Sequence, residues 1–446
     1  MQKRERDQLV RDAVKHVIPH FASWEMIERQ PKVFVRGEGC YLFDIDGNRY
    51  LDTFASLLTT ICGHHQQEVD QAIREQLDQL EFFPNYVDTF TVPLVRLARK
   101  LAEITPGELS ATFFVNSGSE ANETALKMAR QYHLERGERQ RWKVFFRRYS
   151  YHATTLGGSS VTGLQWFREY FEPLLPGCIG TYSTRCQLCE LGLRHPDCEL
   201  ACLKLMEKQM EWEGPETISA LIMDPIPGSN IGFPVPPEGY LQGVRSLCDK
   251  FGILLIFDEV QTGFGKTGKM FACEHWGVTP DILCIGKGFT GGYIPLGATV
   301  TTEKVYSVFR RAGHELRSGS TYGGHTLACA ATLANIEVIE RNRLPERAGE
   351  LGKVLRAKLE ALREAHRLVG QVSGIGLLQA LFLNVDPARK VGSFIRDFCW
   401  QNGMILRNNG DILVFAPALI ITEAELEQIV GTLDRALSAA EKQLAT

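Results

Sequence analysis

Between about Val69 and Ala328 the chain alternates short apolar runs with longer stretches of helical spacing, and this rhythm restricts its fold more than any other feature. The runs cover 111–115, 144–146, 218–223, 253–257 and 281–285, while stretches such as 120–136 and 240–251 carry apolar residues at helical intervals. Runs this short and this uniformly apolar read as strands covered on both faces. Parallel strands need a long crossover, and a helix is the usual one. The expected fold class is therefore α/β, with a large domain built on a mainly parallel, doubly wound sheet. After about Ala328 the pattern becomes a long helical segment and then a smaller α+β unit. Its strands are expected at 375–383 and 412–415, with a last amphipathic helix over 422–441. Residues 33–52 alternate apolar and polar around Asp46-Gly47, a hairpin signal, and are assigned to the smaller unit. At 446 residues the chain exceeds what one core usually organises. The expected division is an N-terminal segment, 1–60, joining the small domain, a large domain, 61–328, and a small C-terminal domain, 329–446.

Two of the apolar runs end in reactive side chains. One closes on Asp258, the other on Lys287, which Gly288 follows at once. An amine and a carboxylate at the ends of two buried strands supply what pyridoxal phosphate requires. The lysine forms a Schiff base with the aldehyde, and the acid holds the pyridine nitrogen protonated so that the ring can act as an electron sink. A third motif, Asn116-Ser-Gly-Ser-Glu-Ala, follows the run 111–115 and opens a helix. Gly118 lets the backbone approach an anion closely, Ser119 adds a hydroxyl, and the helix N-terminus supplies free N–H groups. Alone, the motif reads equally well as an ordinary serine N-cap. Ahead of Asp258 and Lys287, it stands where a phosphate cradle is needed.

With these motifs in order, the chain resembles the class III aminotransferases, fold-type I pyridoxal phosphate enzymes that include ω-amino acid and amine:pyruvate transaminases. Asn116-Ser-Gly-Ser-Glu-Ala121, Tyr151-His152, Asp258-Glu-Val-Gln-Thr-Gly-Phe-Gly265, the Gly286-Lys287-Gly288 context and Thr321-Tyr-Gly-Gly-His325 carry the likeness. The resemblance implies that Gly118 and Ser119 bind the phosphate, that Tyr151 stacks on the pyridine ring with His152 beside it, and that Asp258 pairs with the ring nitrogen. Val260 would pack on the opposite ring face and Gln261 would lie near the phenolic oxygen. Thr321 would reach the phosphate of a neighbouring subunit, so a homodimer with shared active sites is implied. Arg407 matches an arginine that holds a substrate carboxylate; Leu58, next to Leu57, stands where amine:pyruvate enzymes often place a tryptophan, which implies a differently shaped pocket. Asp224 and Ser229 are departures, since relatives more often carry glutamate at the first and some carry it near the second.

The expected activity is transfer of an amino group from an ω-amino acid or primary amine to a keto acid, pyruvate being the expected acceptor, by a ping-pong cycle through pyridoxamine phosphate. Lys287 is the base and Asp258 its electrostatic partner. A racemase, epimerase, decarboxylase or aminomutase would share the same ring frame; a non-catalytic, metal-bound regulatory homologue is a further alternative.

Other function classes find no support. A net charge of −4 leaves no electrostatic footprint for nucleic acid or an anionic membrane. The charged opening, Met1-Gln-Lys-Arg-Glu-Arg, lacks the apolar stretch of a signal peptide, and no apolar run approaches membrane-spanning length. A cytoplasmic protein is expected. Gly265-Lys266-Thr267 resembles the end of a nucleotide-binding loop, but Val260 occupies the place of its first glycine. The chain has 12 cysteines, most of them scattered singly through apolar segments. Cys186, Cys189, Cys198 and Cys202 cluster, with Cys178 and His195 nearby, and could supply four thiolates to structural zinc. The three-residue gap in the second pair favours reduced packing cysteines instead, so no metal is assigned.

Overall fold

The computed structural model describes residues 3–29 and 31–445; Met1 and Gln2 of the charged opening, Gln30 and Thr446 lie outside it. The first strands are β1 (Phe34–Glu38), β2 (Tyr41–Asp44) and β3 (Arg49–Asp52), paired antiparallel in sequence order. The hairpin turns at Asp46-Gly47 as expected. Gly47 takes φ +88, and the Asp44 carboxylate accepts from the Asp46 and Asn48 amides, Asn48 Nδ2 and the Tyr50 hydroxyl.

Seven strands form the central sheet: β4 (Leu109–Val115), β5 (Lys143–Arg147), β6 (Cys178–Thr181), β7 (Ile218–Met223), β8 (Leu254–Asp258), β9 (Ile282–Ile285) and β10 (Gly297–Thr302). Their order is β4-β10-β9-β8-β7-β5-β6. β10 runs antiparallel to both of its neighbours; β9, β8, β7, β5 and β6 are mutually parallel. Strands β7 to β10 are buried at every residue. Alternate residues feed two cores. Leu254 and Ile256 join Ala121, Ala125 and Met128 of the helix Gly118–Glu135 on one face, while Leu255 and Phe257 join Leu97 and Val244 on the other. This double coverage explains the near-continuous apolar runs.

All five expected strands are present, with ends moved by a residue or two. β6 and β10 were not foreseen. β10, Gly-Ala-Thr-Val-Thr-Thr, lacks the large aliphatics that mark a buried strand; Thr299 and Thr301 satisfy their hydroxyls on the carbonyls of Ala121 and Asp281. The chain then forms β11 (Val369–Ile375), β12 (Leu378–Leu383), β13 (Met404–Ile405), β14 (Arg407–Asn409) and β15 (Ile412–Phe415). The strand expected over 375–383 is present but shorter, as β12; Ile375 instead ends the unforeseen β11, which pairs antiparallel with β12 through a turn at Gly376, where φ is +57. β11, β12, β15 and β14 make one antiparallel sheet, whereas β13 pairs in parallel with β3 and completes the N-terminal sheet. The last helix, Glu423–Ala445, packs against Leu344–Ala365 and Val391–Gln401. Among the described residues no helix is long and apolar enough to cross a membrane.

Candidate active site

The direction of the strands assembles the site. β4, β5, β8 and β9 all point the same way, so the segments that follow them gather along one edge of the sheet. That edge receives Ser117–Ser119 (117–119), Tyr151-His152, Asp258 and Lys287. Open α/β sheets bind ligands at this end of their strands.

At the end of β4, Ser117 caps the helix Gly118–Glu135, its Oγ accepting from the Glu120 amide at 3.1 Å. The Gly118 and Ser119 amides lie in the first turn, where a helix leaves its donors without partners. Gly118 is required there by space: a Cβ would lie 2.7 Å from Val260 Cγ1. Gly297 and Gly286 line the same corner, where a Cβ would come within 2.4 Å of the Ser117 carbonyl and 3.2 Å of the Gly118 nitrogen. Three glycines thus bring backbone against backbone around an N-terminus suited to an anion.

Asp258 closes β8 and is 5% exposed. Its Oδ2 accepts from Asn122 Nδ2 and from His152 Nδ1, each at 2.8 Å, and its Oδ1 accepts from the Val260 amide at 3.0 Å. His152 is buried, and its Nε2 has no partner among the described residues. Asn122 was not among the sequence candidates. Its signal was available: it is a polar residue inside the apolar stripe of Ala121, Ala125, Met128 and Ala129.

Lys287 follows β9 and takes φ +47, a left-handed conformation that is costly for any residue with a Cβ. Burial pushes its ammonium down to about 8 from the ordinary lysine value of 10.5; the Asp258 charge opposes this and the Arg407 charge adds to it. The neutral amine is the nucleophile. Incorporation of pyridoxal phosphate into apoprotein should therefore accelerate with rising pH and level off above about 8, which stopped-flow absorbance checks. A rate constant flat from pH 6.5 to 9 would exclude this titration.

One large cavity is lined by Lys287, Tyr151, Gln261, Leu57, Leu58 and Arg407 together. Tyr151 meets Phe167 edge-on at 4.9 Å, and Phe167 in turn meets Trp166 and Phe21. Gln261 Oε1 accepts from the Ser229 amide at 3.3 Å. Arg407, at the start of β14, is partly buried, with its guanidinium 5.3 Å from the Phe54 ring centre and its Nε buried without a partner among the described residues. Burial lowers its proton affinity, and Tyr151 is the one ionisable group among the described residues that opposes this. Among the described residues no carboxylate neutralises it, in keeping with serine rather than glutamate at 229.

Residues 55–58 form a left-handed turn along the cavity wall, with φ of +44, +44, +67 and +64. Leu58 and Thr59 donate to the carbonyls of Phe54 and Ala55, and the buried Asp52 carboxylate accepts from the Phe54 and Ser56 amides and the Ser56 hydroxyl. Each such residue costs roughly 1–2 kcal/mol, so Asp52 holds a strained segment. Leu58 is 2% exposed and packs with Phe54, Ile226 and Phe233, whereas Leu57 is 51% exposed. Leu57 therefore offers the cavity more surface than the expected Leu58.

Thr321 stands apart. It is exposed and does not line the cavity, although the neighbouring Ser320 accepts from Asn116 Nδ2 at 2.7 Å. Asp224 is accounted for by the fully buried Arg147, with an Nη2 to Oδ1 distance of 2.8 Å, tying β7 to β5 beneath the site. Cys186, Cys189, Cys198 and Cys202 line one small cavity with His195 as free thiols. Among the described residues no group of three or more histidine, cysteine, aspartate or glutamate side chains is placed to hold a metal ion.

Pyridoxal phosphate fits what is present. The glycine-lined helix N-terminus suits its phosphate, the Asp258 carboxylate its ring nitrogen, and the Lys287 amine its aldehyde. Comparison with known proteins agrees. The family model for class III aminotransferases matches residues 26–437. The chain is 37% identical to adenosylmethionine-8-amino-7-oxononanoate aminotransferase of Nitratidesulfovibrio vulgaris, over 96% of its own length and 80% of the relative's. It is 33% identical to putrescine–pyruvate aminotransferase of Pseudomonas aeruginosa, over 96% and 94%. An (S)-enantioselective omega-transaminase from Thermomicrobium roseum superposes with a TM-score of 0.93 at 35% identity, covering 98% of each chain. A PLP-bound amine transaminase from an uncultivated Pseudomonas species gives 0.91 at 36% identity, covering 95% and 98%. The chain belongs to the class III aminotransferases, pyridoxal phosphate-dependent enzymes of fold type I.

Proposed function

We propose that this aminotransferase moves an amino group from a primary amine or ω-amino acid to a 2-oxo acid, with pyruvate as acceptor, in a ping-pong cycle within a homodimer. The observation that carries the reading is Arg407, a partly buried guanidinium with no carboxylate partner among the described residues, in the cavity that also holds Lys287. A 2-oxo acid supplies the missing anion, and planar bidentate pairing suits arginine to it. A putrescine–pyruvate relative and amine transaminase structures support the donor and acceptor classes.

Bound here, pyridoxal phosphate supplies an aldehyde for the donor amine and a ring that accepts the electron pair left when a substrate C–H bond breaks. Lys287 Nζ would hold the aldehyde and, as a free amine, would move the proton from the substrate carbon. The Asp258 carboxylate would set a negative charge beside the ring nitrogen. Tyr151 and Val260 would enclose the two ring faces, Gln261 would approach the phenolic oxygen, and Gly118 and Ser119 would hold the phosphate.

The dimer rests on an apolar surface. Phe83, Tyr86, Val87, Phe90 and Val92 are all about half exposed or more, and Tyr86 and Phe82 touch the 319–322 loop that carries Thr321. A second copy covering this surface would bring Thr321 to its partner's phosphate site; sedimentation at micromolar concentration checks the assembly. We assign 61–328 to the cofactor-binding domain, and 1–60 with 329–446 to the smaller one. The pairing of β3 with β13 supports that division.

The test is Arg407→Leu, with the two half-reactions followed separately. Losing a desolvated charge pair costs about 2–5 kcal/mol, so the KM for pyruvate should rise about 30-fold to a few thousandfold. The amine half-reaction should change little. Equal losses in both halves would sink the clamp. A donor panel of diamines, ω-amino acids, aryl amines and adenosylmethionine, without acceptor, should stall after one equivalent. Sustained turnover there would move the assignment to a racemase or decarboxylase.

A further inference from the structure

Asn122 lies in the second turn of the helix Gly118–Glu135 and is fully buried. Its Nδ2 donates twice, to the His152 main-chain carbonyl at 2.6 Å and to Asp258 Oδ2 at 2.8 Å. Both partners are pure acceptors, so they fix which way the amide faces; reversing it would set oxygen against two oxygens. Its Oδ1 then has no partner among the described residues, and it remains buried. Asn122 is thus oriented entirely by its two donations.

The two acceptors belong to different parts of the site. Asp258 ends β8 and serves the ring nitrogen. The His152 carbonyl belongs to the segment that carries Tyr151, and Thr162 Oγ1 holds that segment's other side, accepting from the His152 amide at 3.1 Å. His152 Nδ1 closes the triangle by donating to the same Asp258 Oδ2. With Asn122 and His152 both on Oδ2, only Oδ1 faces away from this cluster. The helix is pinned at this turn as well, because the Ala121 carbonyl accepts from Thr299 on β10 and Cys284 on β9.

We propose that Asn122 is a positioning residue that locks the Asp258 carboxylate and the Tyr151–His152 segment (151–152) into one rigid unit, fixing the edge and one face of the cofactor ring together. Asparagine suits the place because it is short and offers two N–H donors on one nitrogen. Aspartate would set oxygen against oxygen, serine has one donor, and leucine has none. The inference rests on the ring nitrogen facing Asp258, as in the reading above, but not on which donor or acceptor is used.

The test compares Asn122→Leu and the isosteric Asn122→Asp with the unsubstituted holoenzyme. Visible circular dichroism of the bound cofactor, read before any substrate is added, should change in intensity in both variants. At saturating pyridoxal phosphate and donor, kcat of the amine half-reaction should fall about a hundredfold, the loss expected from a misplacement of about 1 Å. Donor KM should stay within about threefold, since Asn122 touches no substrate. Thermal unfolding of the apoproteins identifies a variant that does not fold, in which case the other carries the comparison. Two results would overturn the proposal: an unaltered dichroic band with kcat within about twofold, or a defect that disappears at saturating cofactor. A wrong assignment of donor or acceptor leaves the substrate-free band untouched, so the two failures are distinguishable.

Discussion

Replacing Lys287 with alanine should lower turnover by about 10²–10⁴-fold through loss of proton transfer alone. Lys287 Nζ is the amine that feels the charges of both Asp258 and Arg407, whereas Lys32, the other lysine lining the cavity among the described residues, donates to the Tyr50 hydroxyl. A small added amine should restore part of the rate by entering the vacated space. Borohydride reduction followed by mass spectrometry should find cofactor on the peptide around 287 in the unsubstituted enzyme and not in Lys287→Ala. The apoprotein should gain stability from the change. The unfolded chain holds the Lys287 proton up to about pH 10.5 and the folded chain only to about 8, so below pH 8 the burial penalty is fully present and between these values it fades. Calorimetry of both apoproteins at pH 7 and pH 10 should therefore show a stabilisation that is larger at pH 7. A variant that keeps its rate, or takes up cofactor covalently elsewhere, would remove Lys287 from the mechanism.

Asp258→Asn should cost about 10²–10³-fold in the amine half-reaction, the scale of a preorganised electrostatic contact removed from a buried site. The substituted side chain keeps the shape but loses the charge. Its carbonyl oxygen can still accept from Asn122 and His152, which leaves its NH2 group facing the Val260 amide, donor against donor. Substrate C–H cleavage should then limit the rate, so the deuterium isotope effect should rise along with the loss. A drop in rate without a larger isotope effect would instead mean weaker cofactor binding, which added pyridoxal phosphate corrects.

The parts of this molecule legible in its sequence share one physical property: each is a local pattern. The runs that became β7, β8 and β9 are apolar because both faces of the sheet are covered, and Asp258 and Lys287 end two of them. β10 escaped because two of its buried threonines, Thr299 and Thr301, are satisfied by carbonyls distant in sequence, on Ala121 and Asp281, which no local pattern records. Asn122 could be suspected from its place in an apolar helix stripe, but its two acceptors, at 152 and 258, come together only in the folded chain. The left-handed turn at 55–58 was hidden for another reason. Ala-Ser-Leu-Leu contains no glycine to announce positive φ, and the conformation is imposed by Asp52. Arg407 came only through family likeness, since a single arginine is more often a surface charge.

The pairing of β3 with β13 has a consequence for how the enzyme is made. Thr53 donates its hydroxyl to the Ile405 carbonyl across 352 residues of sequence, and the Ala416 amide donates back to the Thr53 carbonyl. A ribosome adding about 5–20 residues per second needs roughly 20–70 s to cover that interval. Throughout it, the hairpin that carries Asp52 has no final strand to pair with, and the wall of the substrate pocket at 55–58 lacks its anchor through Thr53. Nascent chains should therefore acquire a competent pocket only late in synthesis. A lesion or stalled ribosome before residue 405 would leave a protein whose large sheet is largely in place but whose substrate entrance has never closed into shape.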